Sequence, residues 1–220
     1  MPGLTLTTSG KNADFTPPPA DVHVGICVAV IDLGTHPKSF QGKEVMQHKV
    51  RLAFELPFCK MEDGRPFVVM DKWTASLEAK SKLRPLLESW RGQPWPKGPI
   101  SGFSLRDLLG KPAMITVTHA DREDGGKWVN IKGIAKLGKN PETGQPISVP
   151  APYNPLRFLE LTKENYDANV MAALGEKTQE LIKSTPEWKA LNAPATGTRE
   201  TNAPEDGPKV EWPAEEECPF

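Results

Sequence analysis

The chain has 220 residues, of which 38% are hydrophobic and 23 are prolines, with a formal net charge of −1. That composition points to one folded domain accompanied by polar segments that do not fold. The three cysteines are widely separated and no apolar run approaches membrane length. A disulfide scaffold, a cysteine-based zinc site and a helical membrane protein are therefore not expected.

The small net charge conceals an asymmetry. Residues 193–220 hold seven acidic and two basic side chains, a net of −5, leaving +4 on residues 1–192. A mildly basic body followed by an acidic tail is the expected arrangement.

In chain order, residues 1–20 read as a flexible leader that stiffens at "TPPPA". "VHVGICVAVI" alternates with β-branched residues, which predicts a strand with Val22, Val24, Ile26, Val28 and Val30 on one face. Gly25 permits a sharp bend. "DLGTHPKSFQGKE" reads as a loop. "VMQHKVRLAFEL" predicts a second strand whose outer face carries Lys49 and Arg51, and "FVVMDKWTAS" a third, ending in Lys72 and Trp73.

The period then changes. Leu83, Leu86, Leu87 and Trp90 form a helical stripe, with Pro85 in the first turn and Gly92 as the stop. "SLRDLLG" predicts a short helix capped by Ser104. "PAMITVTH" and "KWVNIKGIAKL" form a hairpin around an acidic, glycine-bearing turn, and Trp128, Asn130 and Lys132 share one face of its second strand. "PLRFLELT" adds a strand or crosses the body. Residues 153–191 hold one or two helices that cover the body or mediate association between copies. Residues 193–220 are expected to be disordered.

Enzyme signatures fail on this chain. No Gly-Lys pair has the spacing of a phosphate-binding loop, no nucleophile elbow occurs, and the four histidines are scattered. No catalysis, metal or cofactor is expected. What remains is about five strands with a helix between the third and fourth, the order of an OB-fold, a small five-stranded barrel that binds oligonucleotides. Single strands need cations along the backbone path and aromatic faces for stacking. Lys49, Arg51, Lys72, Trp73, Trp128 and Lys132 are the candidates. Trp90 is expected in the core, while Trp73 and Trp95 fit either role.

The last ten residues, "EWPAEEECPF", place Glu215, Glu216 and Glu217 ahead of Cys218, Pro219 and Phe220. An apolar pocket rimmed by cations would bury the phenyl ring, a contribution of about 1.5–3 kcal/mol, and the glutamates would add steering. This tip resembles that of bacterial single-stranded DNA-binding proteins, with cysteine at the aliphatic position and Glu in place of Asp. "SLEAKSKLRPLLESWRG", "GFSLRDLLGKPAMITVTH", "VAVIDLGT" and "KVRLAFELP" resemble a family of bacteriophage replication-region proteins with an OB-fold, over roughly residues 15–137. The resemblance implies a non-enzymatic protein that coats single-stranded DNA during phage replication or recombination in the host cytoplasm.

The expected organisation is a leader (1–20), a mainly β OB-fold domain (21–150) with an inserted helix, a helical extension (151–192) and a disordered acidic tail (193–220). The expected partners are single-stranded DNA and replication or repair proteins, the latter through Glu215, Glu216, Glu217, Pro219 and Phe220. A replication adaptor that works through its tail without touching DNA is the alternative.

Overall fold

The computed structural model describes residues 16–40, 42–98, 100, 102–123 and 126–193. The β-branched run predicted as the first strand forms β1 (Val22–Phe40), which pairs antiparallel with β2 (Lys43–Lys60). β3 (Pro66–Thr74) follows, then α1 (Leu83–Arg91), a 3-10 turn over Leu105–Leu108, and the hairpin of β4 (Pro112–Asp121) and β5 (Lys127–Ala135). β6 (Arg157–Leu159) precedes three short helices, α2 (Ala168–Ala172), α3 (Glu176–Lys183) and α4 (Pro186–Leu191).

The strands lie in the order β3-β2-β1-β4-β5, antiparallel throughout, and β6 joins β1 in parallel. The expected closed five-stranded barrel is thus corrected to an open, mainly antiparallel sheet of six strands. The two ends of the path meet without a backbone ladder. The Ile131 N–H donates to Asp71 Oδ2 at 3.3 Å, so a side chain occupies the place a β3 carbonyl would take in a closed barrel.

A second correction concerns residues 32–44, read from sequence as a loop. They continue the β1–β2 ladder from Gly34↔Lys49 to Phe40↔Lys43. A bulge makes this possible: Leu33 has no partner, Gly34 adopts φ 75°, and its N–H donates to Asp32 Oδ1 at 2.7 Å. The left-handed residue that reads as a turn signal is absorbed as a kink, and the strand goes on.

An earlier bulge corrects the faces of β1. Cys27 pairs with Phe54 and Ala29 with Ala53, so Val28 is the extra residue. Alternation slips there, and both Cys27 and Val30 enter the main core, while Ile31 and Leu33 enter a second one. The face opposite Val22 and Val24, which carries Gly25 and Cys27, therefore packs inward. A Cβ on Gly25 would lie 2.6 Å from Ile115 Cγ1, which explains glycine at that position.

The main core gathers Phe54, Leu56, Ile115 and Ile134 against Leu83, Leu87 and Trp90 of α1. Trp90 tilts against Phe54, ring centroids 5.4 Å apart, and its indole N–H donates to the Pro112 carbonyl at 2.9 Å. The helix starts and stops as predicted: Pro85 lies in its first turn and Gly92 follows it with φ 75°. The predicted cap at Ser104 also forms, its hydroxyl accepting the Arg106 N–H, although the turn it opens is 3-10.

The second core covers the other side of β1 with Leu159, Leu161, Met171 and Ile182. One buried carboxylate helps tie this extension to the sheet. Glu55, 1% exposed, accepts the N–H groups of Tyr153 and Asn154 and the Asn154 side-chain amide at 2.7–2.8 Å. Replacing it by alanine leaves three part-buried donors without this acceptor, at a cost of about 3 kcal/mol. Glu55→Ala is therefore expected to lower the urea midpoint of unfolding with little change in slope. An unchanged midpoint would contradict this anchoring role.

Candidate nucleic-acid interface

Alternation along β2 turns Lys49 and Arg51 to the outer face of the sheet. The β2–β3 register then sets Arg51 opposite Lys72 and Lys49 opposite Thr74. Lys49 Nζ donates to Gln47 Oε1 at 2.6 Å and Thr74 Oγ1 at 2.8 Å, which holds the ammonium group in place. Its proton affinity is lowered, first by partial burial and then by the ammonium groups of Lys38 and Lys72. Like charges facing one another without neutralising partners are unfavourable until an anion arrives.

These side chains line a groove of about 600 Å³ together with Lys80 and Lys82. Five lysines meet one carboxylate, Glu78, and none of the five forms an ion pair among the described residues. Lys38, Lys80 and Lys82 were not among the sequence candidates. Lys38 lies on the stretch read as a loop, and only the Lys38↔Val45 pairing carries it to the groove face. Lys80 and Lys82 come from "EAKSK", ahead of α1; their even spacing was the available signal.

The aromatic candidates separate. Trp73 is 7% exposed and belongs to the main core, opposite Val50 in the ladder. Its ring is not presented for stacking, in contrast to the role expected for it. Trp95 is also buried, edge-on to Phe103. Trp128 is 57% exposed on β5, with the Arg122 guanidinium 4.5 Å from its ring centroid.

Asn130 and Lys132 follow Trp128 on the same strand, and Lys132 is exposed. Four successive antiparallel pairings separate β3 from β5, so the two end strands run in the same direction. The Asp71–Ile131 bridge fixes their relative position, and one residue further along each strand come Lys72 and Lys132. The structure thus sets Lys49 and Lys72 in one groove, leaves Trp128 and Lys132 exposed on β5, and buries most of Trp73 at the groove's base. Arg51 lies half-buried, its Nη1 donating to Thr178 Oγ1 of α3 at 3.0 Å. Glu215, Glu216, Glu217, Pro219 and Phe220 lie outside the described residues.

The histidines have local partners. His23 and His119 contact the Pro19 and Pro18 carbonyls and His36 the Leu33 carbonyl, each at 2.8 Å. His48, on the opposite hairpin face from Lys49, has Nε2 2.8 Å from Asp32 Oδ1 and Nδ1 3.4 Å from Glu187 Oε1 of α4. Thr35 donates both its hydroxyl and its N–H to the same glutamate. Among the described residues no group of three or more His, Cys, Asp or Glu side chains is placed to hold a metal ion.

The hydrogen bond to Asp32 raises the His48 pKa above its ordinary value; burial opposes this, and the charges of Asp32 and Glu187 reinforce it. A raised histidine value gives stability that is complete below the unfolded-state pKa and lost as pH climbs through the folded one. Wild type is accordingly expected to hold a Tm advantage over His48→Gln near pH ~6 that shrinks by pH ~9. A Tm difference independent of pH would remove the Asp32–His48–Glu187 contact from the account.

No protein-family model and no curated protein matches the chain.

Proposed function

We propose that this chain is a single-stranded DNA-binding protein of phage replication or recombination. It coats strands without strong sequence preference and recruits replication or repair proteins through residues 215–220. The observation that carries the reading is the five-lysine groove, whose cations have no carboxylate partners among the described residues. Phosphates supply the missing charge, and release of their counterions drives association.

Three further features support it. The strand order, with α1 between β3 and β4 and with the two end strands running in the same direction, suits an OB-fold reading in which the barrel is open along one seam. In that fold the face of the second and third strands binds oligonucleotides, and here that face carries Lys49 and Lys72. Trp128 offers a sequence-indifferent surface for base stacking. The proposed path runs from the hairpin arm at Lys38, across Lys49 and Lys72, over the β3–β5 seam to Lys132 and Trp128.

Tryptophan fluorescence during titration with poly-dT, across a salt series, tests the reading. Wild type is expected to show quenching whose affinity falls as salt rises. Lys49→Ala with Lys72→Ala should flatten the slope of log affinity against log salt by about 1.4, two phosphates at about 0.7 each. Trp128→Ala should lose most of the quenching and about 1–3 kcal/mol of affinity. Absence of binding by wild type at low salt would overturn the reading and favour an adaptor acting through its tail.

A further inference from the structure

A second cavity opens on the outer face of the sheet, beside the lysine groove. Its volume is about 410 Å³, within the range of small-molecule sites, about 300–1,000 Å³. The sheet side of its wall is apolar: Ala29 and Ile31 of β1, Ala53 of β2, Val68 and Met70 of β3. The turn from α2 into α3, Ala173 to Gly175, also lines it. Several of the sheet side chains are short, which leaves room between sheet and turn.

Two arginines, Arg51 and Arg157, also line this cavity. Arg51 is half-buried, and burial lowers its proton affinity. Its guanidinium donates to the Thr178 hydroxyl, a neutral group. The Arg157 side chain has no hydrogen bond or ion pair among the described residues, and neither guanidinium has a carboxylate partner there. Desolvating a cation against an apolar wall is costly unless an anion completes it. The planar guanidinium matches a phosphate through paired donors better than an ammonium does.

Position argues for the kind of anion. Arg51 stands directly opposite Lys72 in the β2–β3 ladder, so the cavity and the lysine groove are neighbours on one face. A ligand that combines phosphate with a flat ring and reaches both sites is one unit of a nucleic-acid strand. We infer that this cavity is a nucleotide pocket, in which one unstacked base of a bound strand lies on the apolar wall while Arg51 and Arg157 hold its flanking phosphates. The inference rests on the strand-binding reading and adds a defined subsite to it. The lysine groove neutralises the backbone; the pocket takes up a base and fixes the strand's position.

The test uses the full chain, with oligo-dT affinity measured by fluorescence anisotropy of a labelled strand over a salt series. Arg157→Gln removes a guanidinium without a described partner, and Ala173→Trp fills the cavity from an exposed position without touching a cation. Arg157→Gln and Arg51→Gln are each expected to lower affinity about tenfold and the salt slope by about 0.7. Ala173→Trp should lower affinity while leaving the slope of the lysine contacts. If wild type binds and loses affinity on Lys49→Ala with Lys72→Ala, yet Arg157→Gln and Ala173→Trp bind like wild type, the pocket inference alone is overturned. If wild type does not bind oligo-dT at low salt, the inference and the strand-binding reading fall together. Displacement of the labelled strand by an acidic peptide ending in Pro-Phe from wild type but not from Ala173→Trp would assign the pocket to a peptide and overturn the nucleotide assignment.

Discussion

The structure depends on β1 being covered on both faces and hydrogen-bonded along both edges. One edge pairs with β2; the other pairs with β4 near its start and with β6 further on. Its inward side chains, Cys27 and Val30, meet the main core, and Ile31 and Leu33 meet the core of the C-terminal extension. Alternation sends Val30 to one core and its neighbour Ile31 to the other. The bulges at Val28 and Leu33 reset the period and turn the chain from one core to the next. They also let the hairpin continue past the body as an arm, which brings Lys38 near Lys49.

The distribution of charge follows from how this frame is secured. Carboxylates on and around the sheet are occupied by donors within the protein. Asp32 accepts the Gly34 and Leu161 N–H groups and contacts His48. Asp71 accepts the Lys72 and Ile131 N–H groups, and Glu55 is enclosed by Tyr153 and Asn154. Glu187 is held below the ordinary carboxylate range: burial works against its charge, but the hydrogen bonds from Thr35 and the nearby His48 prevail. These acidic groups thus act as internal fasteners, while the groove lysines of the outer face have no carboxylate partner among the described residues. A nearly neutral chain in this way presents one lysine-rich groove.

Much of the frame was legible in the sequence because it depends on local chemistry. The α1 stripe with its Pro85 start and Gly92 stop, the Ser104 cap and the β4–β5 hairpin all follow from residues a few positions apart. The extent of β1 did not, because Gly34 signals a turn until one sees Asp32 accept its N–H. Closure of the sheet was not legible either, since it turns on the single side chain of Asp71 beside β5. Trp73 could have been placed from the sequence: it follows Lys72 directly in a strand, so the two must face opposite sides, and Lys72 faces outward. On β5 Trp128 and Lys132 are exposed and Asn130 is half-buried, but Lys132 is the unpaired residue of a bulge, which even spacing in sequence does not reveal. The lysines at 38, 80 and 82 come from separate segments, and only the tertiary fold gathers them.

The central claim is that the outer face from the hairpin arm across β2 and β3 to β5 carries the strand. Ultraviolet cross-linking of the full chain to oligo-dT at low salt, followed by peptide mapping, addresses it most directly. The account expects adducts on peptides that contain Lys49, Lys72 and Trp128, disappearing at high salt. Adducts confined to residues 163–193, or adducts that persist unchanged in salt, would contradict it.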